Sequence, residues 1–313
     1  MADIKKIATR QSYGDALAQL GDEFPIIVLD ADLSKSTKTE VFKKKYPDRF
    51  INMGIAEANM MSTAAGLAAC GKTVFASSFA MFAAGRAFEQ IRNSICYPNL
   101  NVKIGATHAG ISVGEDGATH QCLEDIGIMR TLPNMIVINP ADDTEAKAAV
   151  RAACGHKGPV YLRFGRLGVP VIFGGDYKFE IGKGVLLAEG SDVTLVATGL
   201  LVEMALKAKE LLANDGISAE VINIATIKPI DEELIVKSAR KTGAVVTCEE
   251  HNIIGGLGSA VAEVLCENCP TPMQRIGTRD VFGRSGKPSE LFEVYGLTPA
   301  AIAEAAKKAI KNK

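Results

Sequence analysis

Tryptophan is absent from the 313 residues and histidine occurs only four times, so imidazole chemistry can be sited in very few places. No charge of one sign dominates: 35 Lys and Arg stand against 36 Asp and Glu, a formal net charge of −1. The longest basic run is Lys43-Lys44-Lys45, which argues against nucleic acid or an anionic membrane as the main partner. The most apolar segment, 74–84, is too short to span a bilayer and is interrupted by serines. No apolar stretch of signal-peptide length follows Met1-Ala2-Asp3. Seven cysteines, an odd number scattered along a large chain, fit reduced thiols, and together these absences predict a cytoplasmic protein. Cys266-Glu267-Asn268-Cys269 is formally a C-x-x-C, but it has no second pair and runs into Pro270, so no metal site is expected. Three phosphate motifs are missing as well: G-x-x-x-x-G-K-[ST], G-x-G-x-x-G after a strand, and G-D-G with a downstream Asn. Nothing in the chain would hold a metal-bound diphosphate.

What is present is a large core. Hydrophobic residues make up 47% of the chain and charged residues 23%, and the length suggests two domains. Strand-like apolar runs alternate with helical patterns, the signature of a parallel α/β sheet. Strands are expected at 26–29, 50–53, 73–76, 102–106, 135–139 and 160–163, with 160–163 the last of its unit. Helices are expected over 56–70, around 86–95 and over 144–153. The stretch 165–184 carries six glycines and a proline with little periodicity and reads as a linker. The rhythm then restarts, with strands at 193–197, 219–224 and 244–249 and helices at 201–213 and 231–239. Gly255-Gly256-Leu257-Gly258 opens a further helix, either as an anion-binding turn or as a close-packed connection. The expected organisation is a domain over 1–172, a linker over 173–189 and a second α/β domain over 190–313.

The richest segment is 105–121, G-A-T-H-A-G-I-S-V-G-E-D-G-A-T-H-Q, where two of the four histidines, a Glu and an Asp lie among four glycines. Such glycine density implies tight turns or backbone approaching something closely. The polar groups suit proton transfer or substrate binding, or else form an ordinary polar surface loop. Glu57 falls in the first turn of its helix, where the helix dipole favours a carboxylate. Its neighbours Ala56, Ala58 and Met60-Met61 predict an apolar niche in which such a group could hydrogen-bond a ring nitrogen. Phe79 and Phe82, at i, i+3 spacing, either form an aromatic slot or belong to the core. Arg10, Arg163 and Arg166, with Ser36 beyond Asp30-Ala31-Asp32, stand near strand ends where guanidinium could bind phosphate.

These motifs resemble transketolase, the thiamine diphosphate enzyme. The resemblance is carried by 54–60, 77–92 and G-E-D-G-x-T-H-Q within 105–121. It continues through Leu123-Glu124-Asp125, Leu132-Pro133-Asn134 and Pro140-Ala141-Asp142, then Thr226-Ile227-Lys228-Pro229 and Arg284-Ser285-Gly286-Lys287-Pro288. It implies a pyrimidine-binding domain followed by a transketolase C-terminal domain, both α/β, as in the small subunit of a split transketolase. The diphosphate site and its Mg2+ or Ca2+ would then lie on a partner, the N-terminal diphosphate-binding subunit, in an α2β2 heterotetramer. By resemblance, Glu57 would contact the aminopyrimidine ring of thiamine diphosphate, with Phe79 and Phe82 cradling it and Asp32 near the cofactor at the subunit contact. His108, Asp116 and His120 would bind the sugar hydroxyls, with His108 and His120 close to the reacting bond. Arg10, Ser36 and Arg166 would hold the sugar phosphate, as in the pentose phosphate pathway. The chain departs from the family at Ala56, Ala58 and Ala118, and the stretch from Phe82 to Arg86 is one residue longer than in some members. Deoxyxylulose phosphate synthase and the beta subunits of 2-oxo acid dehydrogenases share the architecture, but the first carries Asp-Arg where this chain has Thr107-His108. The second lacks the G-E-D-G-x-T-H-Q run. A non-catalytic binding or regulatory paralogue is the remaining alternative.

Overall fold

The computed structural model describes residues 5–313. Strands β1 (Lys6–Ala8), β2 (Ile27–Asp30), β3 (Phe50–Asn52), β4 (Val74–Phe79), β5 (Val102–Thr107), β6 (Ile136–Ile138), β7 (Val160–Arg163) and β8 (Gly168–Pro170) form the first half. The second half supplies β9 (Val185–Ala188), β10 (Val193–Ala197), β11 (Ala219–Asn223), β12 (Thr226–Lys228), β13 (Val245–Asn252) and β14 (Met273–Thr278). Every residue of β4 and β5 is buried, as expected for strands covered by helices on both faces of a parallel sheet.

Two sheets organise the chain. The larger has the order β12-β6-β7-β5-β4-β2-β3, parallel except for β12 at its edge; the smaller has the order β14-β13-β10-β11-β9. The fold is therefore two consecutive α/β domains, as expected. The edges were not expected. The strand at 160–163 is not the last of the first unit, because β8 returns to pair antiparallel with β1, and β12 crosses from the second half to cap the first sheet. Both are short segments whose pairing partners lie far away in the chain. Strand β9 lies inside the 173–189 segment expected to be a linker.

The helix expected around 86–95 is wound differently. Residues 81–86 and 91–96 are π-helical, on either side of a short α-turn, Phe88–Gln90. Widened i→i+5 turns of this kind are rare and occur frequently at functional sites.

Buried carboxylates join the two halves. Asp142 caps the helix Asp143–Gly155 by accepting from the Glu145 amide at 2.8 Å, and it also accepts from the amides of Ile172 and Phe173. Glu145, pushed up to about 7 by burial, accepts from the Ala141 amide, the Tyr177 hydroxyl and the Asn223 side chain of β11. One apolar cluster runs from Met60 and Ala64 through Met129 to Ile227 and Val261, so the core is continuous across both halves.

Candidate active site

The C-terminal ends of the parallel strands converge, which is where open α/β sheets hold ligands. Past β3, Gly54 turns the chain at φ +69° and Glu57 begins the helix Glu57–Ala69. Phe79 ends β4, His108 follows β5, and Arg166 follows β7. Arg10 lies in the first turn of the helix Thr9–Glu23. Asp30 at the end of β2 is fully buried and accepts from the Leu33 amide and the Thr37 and Thr39 hydroxyls, shaping the turn that carries Ser36.

Glu57 is only 3% exposed, but its niche is not apolar. The Ser78 hydroxyl donates to Oε1 at 3.3 Å, and Arg86 Nη1 lies 3.5 Å from Oε2. The same guanidinium stacks over the Phe82 ring at 4.3 Å. Arg86 was missed in the sequence, although Phe82 and Arg86 stand at i, i+4, a spacing that invites cation–aromatic contact. The Phe79 and Phe82 rings are stacked on each other with centroids 5.9 Å apart, and Phe79 is buried.

His108 stacks on Phe79 with ring centroids 3.8 Å apart, and its backbone holds φ +58°, a strained conformation for a side chain of this size. Arg10 Nη1 lies 2.9 Å from its Nε2 and also donates to the Ser36 carbonyl at 3.1 Å. A guanidinium only donates, so Nε2 accepts, and the Nδ1 proton faces Thr107 Oγ1 at 2.9 Å. Burial first, then Arg10 and Arg166, pushes the imidazole down to about 3, so His108 is neutral. Two-dimensional NMR should accordingly find His108 as the Nδ1–H tautomer, without titration between about pH 5 and 8. Because the unfolded chain binds this proton more tightly than the fold does, the stability it governs falls as pH drops from about 6.5 toward 3. Ordinary titration near pH 6.5 would overturn the assignment.

His120 presents its ring edge to Phe82 at 5.3 Å and to Phe79 at 6.2 Å. Arg166 donates to the Val113 carbonyl and lies 3.6 Å from both Asp116 and Glu115. Arg10 Nε is buried with no hydrogen-bond partner, and Arg166 opposes its charge. One buried guanidinium N–H is therefore left free to donate. Asp32 is exposed at φ +65° and accepts from Asn52 Nδ2 at 2.8 Å. Arg163 drops out of the anion candidates: it is buried against Asp125 at 2.8 Å and donates to the Cys122 and Glu250 carbonyls. Among the described residues no cluster of His, Cys, Asp and Glu could hold a metal, and no helix is long and apolar enough to cross a membrane.

Comparison with known proteins decides the family. Residues 5–171 match the transketolase pyrimidine binding domain and residues 182–302 the transketolase C-terminal domain. The chain belongs to the transketolase family. A Methanocaldococcus jannaschii protein bearing the name transketolase C-terminal section is 55% identical over 299 residues, covering 94% of each chain. The 6-deoxy-6-sulfo-D-fructose transketolase subunit SqwH of a Clostridium strain is 46% identical, over 97% of this chain and 95% of its own. A solved structure described as a split gene transketolase, inactive beta4 tetramer, superposes with a TM-score of 0.92 at 58% identity, over 97% of this chain and 99% of that one. This transketolase-family chain is thus the counterpart of the C-terminal section of the enzyme.

Proposed function

We propose that the chain is the small subunit of a thiamine-diphosphate-dependent transketolase, moving a two-carbon ketol unit from a ketose phosphate to an aldose phosphate. The single observation that carries this is a buried Glu57 paired with Arg86, whose guanidinium lies over the face of Phe82, itself stacked with Phe79. A planar cation held by a carboxylate and an aromatic face supports the reading that this pair of groups takes an aminopyrimidine ring. The donor set fits that ring: a carboxylate for a ring nitrogen and aromatic faces for the plane.

When bound, thiamine diphosphate supplies the nucleophilic carbon that carries the two-carbon unit. This chain's own groups do the rest. Glu57 would meet a ring nitrogen of the pyrimidine, with Ser78 fixing its orientation. His108, neutral, and His120 meet the sugar hydroxyls from the far side of the aromatic pair, and Asp116 accepts from a further hydroxyl. Arg10 and Arg166, with the turn carrying Ser36, take the phosphate end, where the unpartnered Arg10 Nε awaits an oxygen. Asp32 stands at the rim toward a second subunit. The diphosphate and its Mg2+ or Ca2+ fall to a diphosphate-binding partner chain in an α2β2 assembly. A relative named for a sulfofructose rather than a pentose phosphate leaves the donor sugar open to a panel of ketoses.

The test mixes the chain with the diphosphate-binding chain, thiamine diphosphate, Mg2+, a ketose phosphate and an aldose phosphate. Turnover is expected only from the mixture. Robust turnover by this chain alone, or a stable complex inert toward every ketose, contradicts the proposal.

A further inference from the structure

We infer that the second domain clamps the 108–121 loop in place and that Glu250, on β13, is a positioning residue for the groups this loop offers to substrate. The inference rests on the proposed reading of the site. Its evidence is the direction in which the loop's glycines face. Gly110, Gly114 and Gly117 hold φ of +84°, +82° and +75°, and all three abut the second domain. A Cβ at Gly110 would lie 2.4 Å from the Glu250 carboxyl carbon, and one at Gly117 would lie 2.5 Å from Ser285 Oγ. At Gly114 it would stand 3.3 Å from the Gly286 carbonyl oxygen and from Pro288. Side chains there would be strained and would push the domain away, so glycine is the residue that lets the two surfaces meet.

Two buried polar side chains complete the clamp. Glu250, 4% exposed, accepts the Ser112 amide through Oε1. Its own carbonyl accepts from Arg163, which Asp125 holds in turn, so the carboxylate is braced from behind. Gln121 Nε2 donates to the carbonyls of Ile111 and Gly114 within the loop and of Arg284 in the second domain. His108 and His120 sit at the two ends of this braced segment, and Asp116 at its exposed tip. Loss of the clamp frees the substrate groups but leaves Glu57, Phe79 and Phe82, which stand on other elements.

The experiment compares hydrogen exchange of the folded chain and kinetics of the complex for Glu250→Ala and Glu250→Gln. Glu250→Ala should speed exchange of amides 109–117 at least tenfold. It should also raise the ketose phosphate KM about ten- to a hundredfold with a smaller change in kcat and unaltered thiamine diphosphate affinity. Glu250→Gln keeps an acceptor for the Ser112 amide and should stay within about threefold of the native protein. Unchanged exchange in folded Glu250→Ala overturns the inference, as does a parallel loss of cofactor affinity. If Glu250→Ala does not fold, Gln121→Leu decides by the same exchange readout over 111–117. A native complex without turnover would sink the transketolase reading, while exchange would still decide the clamp.

Discussion

Glu57→Ala, in a complex with the diphosphate-binding chain, is expected to lower kcat/KM about 10³-fold, ~4 kcal/mol of transition-state stabilisation, with folding and assembly intact. The size follows from the uniqueness of the group. Glu57 is the carboxylate beside the aromatic pair, and Ser78, its buried hydroxyl neighbour, cannot replace it at a ring nitrogen. The fold should survive because the partner left behind, Arg86, is 56% exposed and can turn to water. Glu57→Gln keeps the shape and removes the charge, and should be nearly as impaired. The measurement is kcat/KM for the ketose phosphate alongside a melting curve and a sizing profile of the complex. Activity within about threefold of the native enzyme would remove Glu57 from the chemistry.

The alternation of strand and helix was legible because buried parallel strands are continuous apolar runs, and 160–163 and 193–197 coincide with β7 and β10 to the residue. Strands β1, β8 and β12 were not legible: three residues each, their existence depends on partners far away in the chain. The site divided in the same way. Glycine density in 105–121 correctly announced a close approach, but the approaching surface is the second domain, which no local pattern names. Gly105 answers to Tyr13, whose hydroxyl would lie 2.1 Å from an added Cβ. The histidines looked alike in sequence, yet His108 is buried and neutral against two arginines while His120 is only half-buried. Glu57 was read as sitting among alanines and methionines, and the tertiary fold instead brought Arg86 and Ser78 to it. Arg163 illustrates the converse: a strand-end arginine suited to phosphate is consumed by Asp125, thirty-eight residues away in sequence.

The second large effect concerns the cofactor. Under the proposed reading this chain contacts the cofactor's ring through Glu57 and the Phe79–Phe82 pair; among the described residues it has no metal cluster, and its sequence has no phosphate loop. On the proposed reading the diphosphate and its metal are held by the partner chain, and ring stacking alone must offset the cost of immobilising the ligand on this one. On the same reading Arg86 must also leave the face of Phe82. Thiamine diphosphate should bind the isolated chain at least 10³-fold more weakly than the complex, a gap of about 4 kcal/mol. Calorimetric titration of thiamine diphosphate with Mg2+ into the chain alone, and into its equimolar mixture with the diphosphate-binding chain, tests the half-site account most directly. The account predicts no saturable binding below millimolar cofactor for the chain alone and micromolar binding, one cofactor per chain, in the mixture. Micromolar binding by the isolated chain would contradict it.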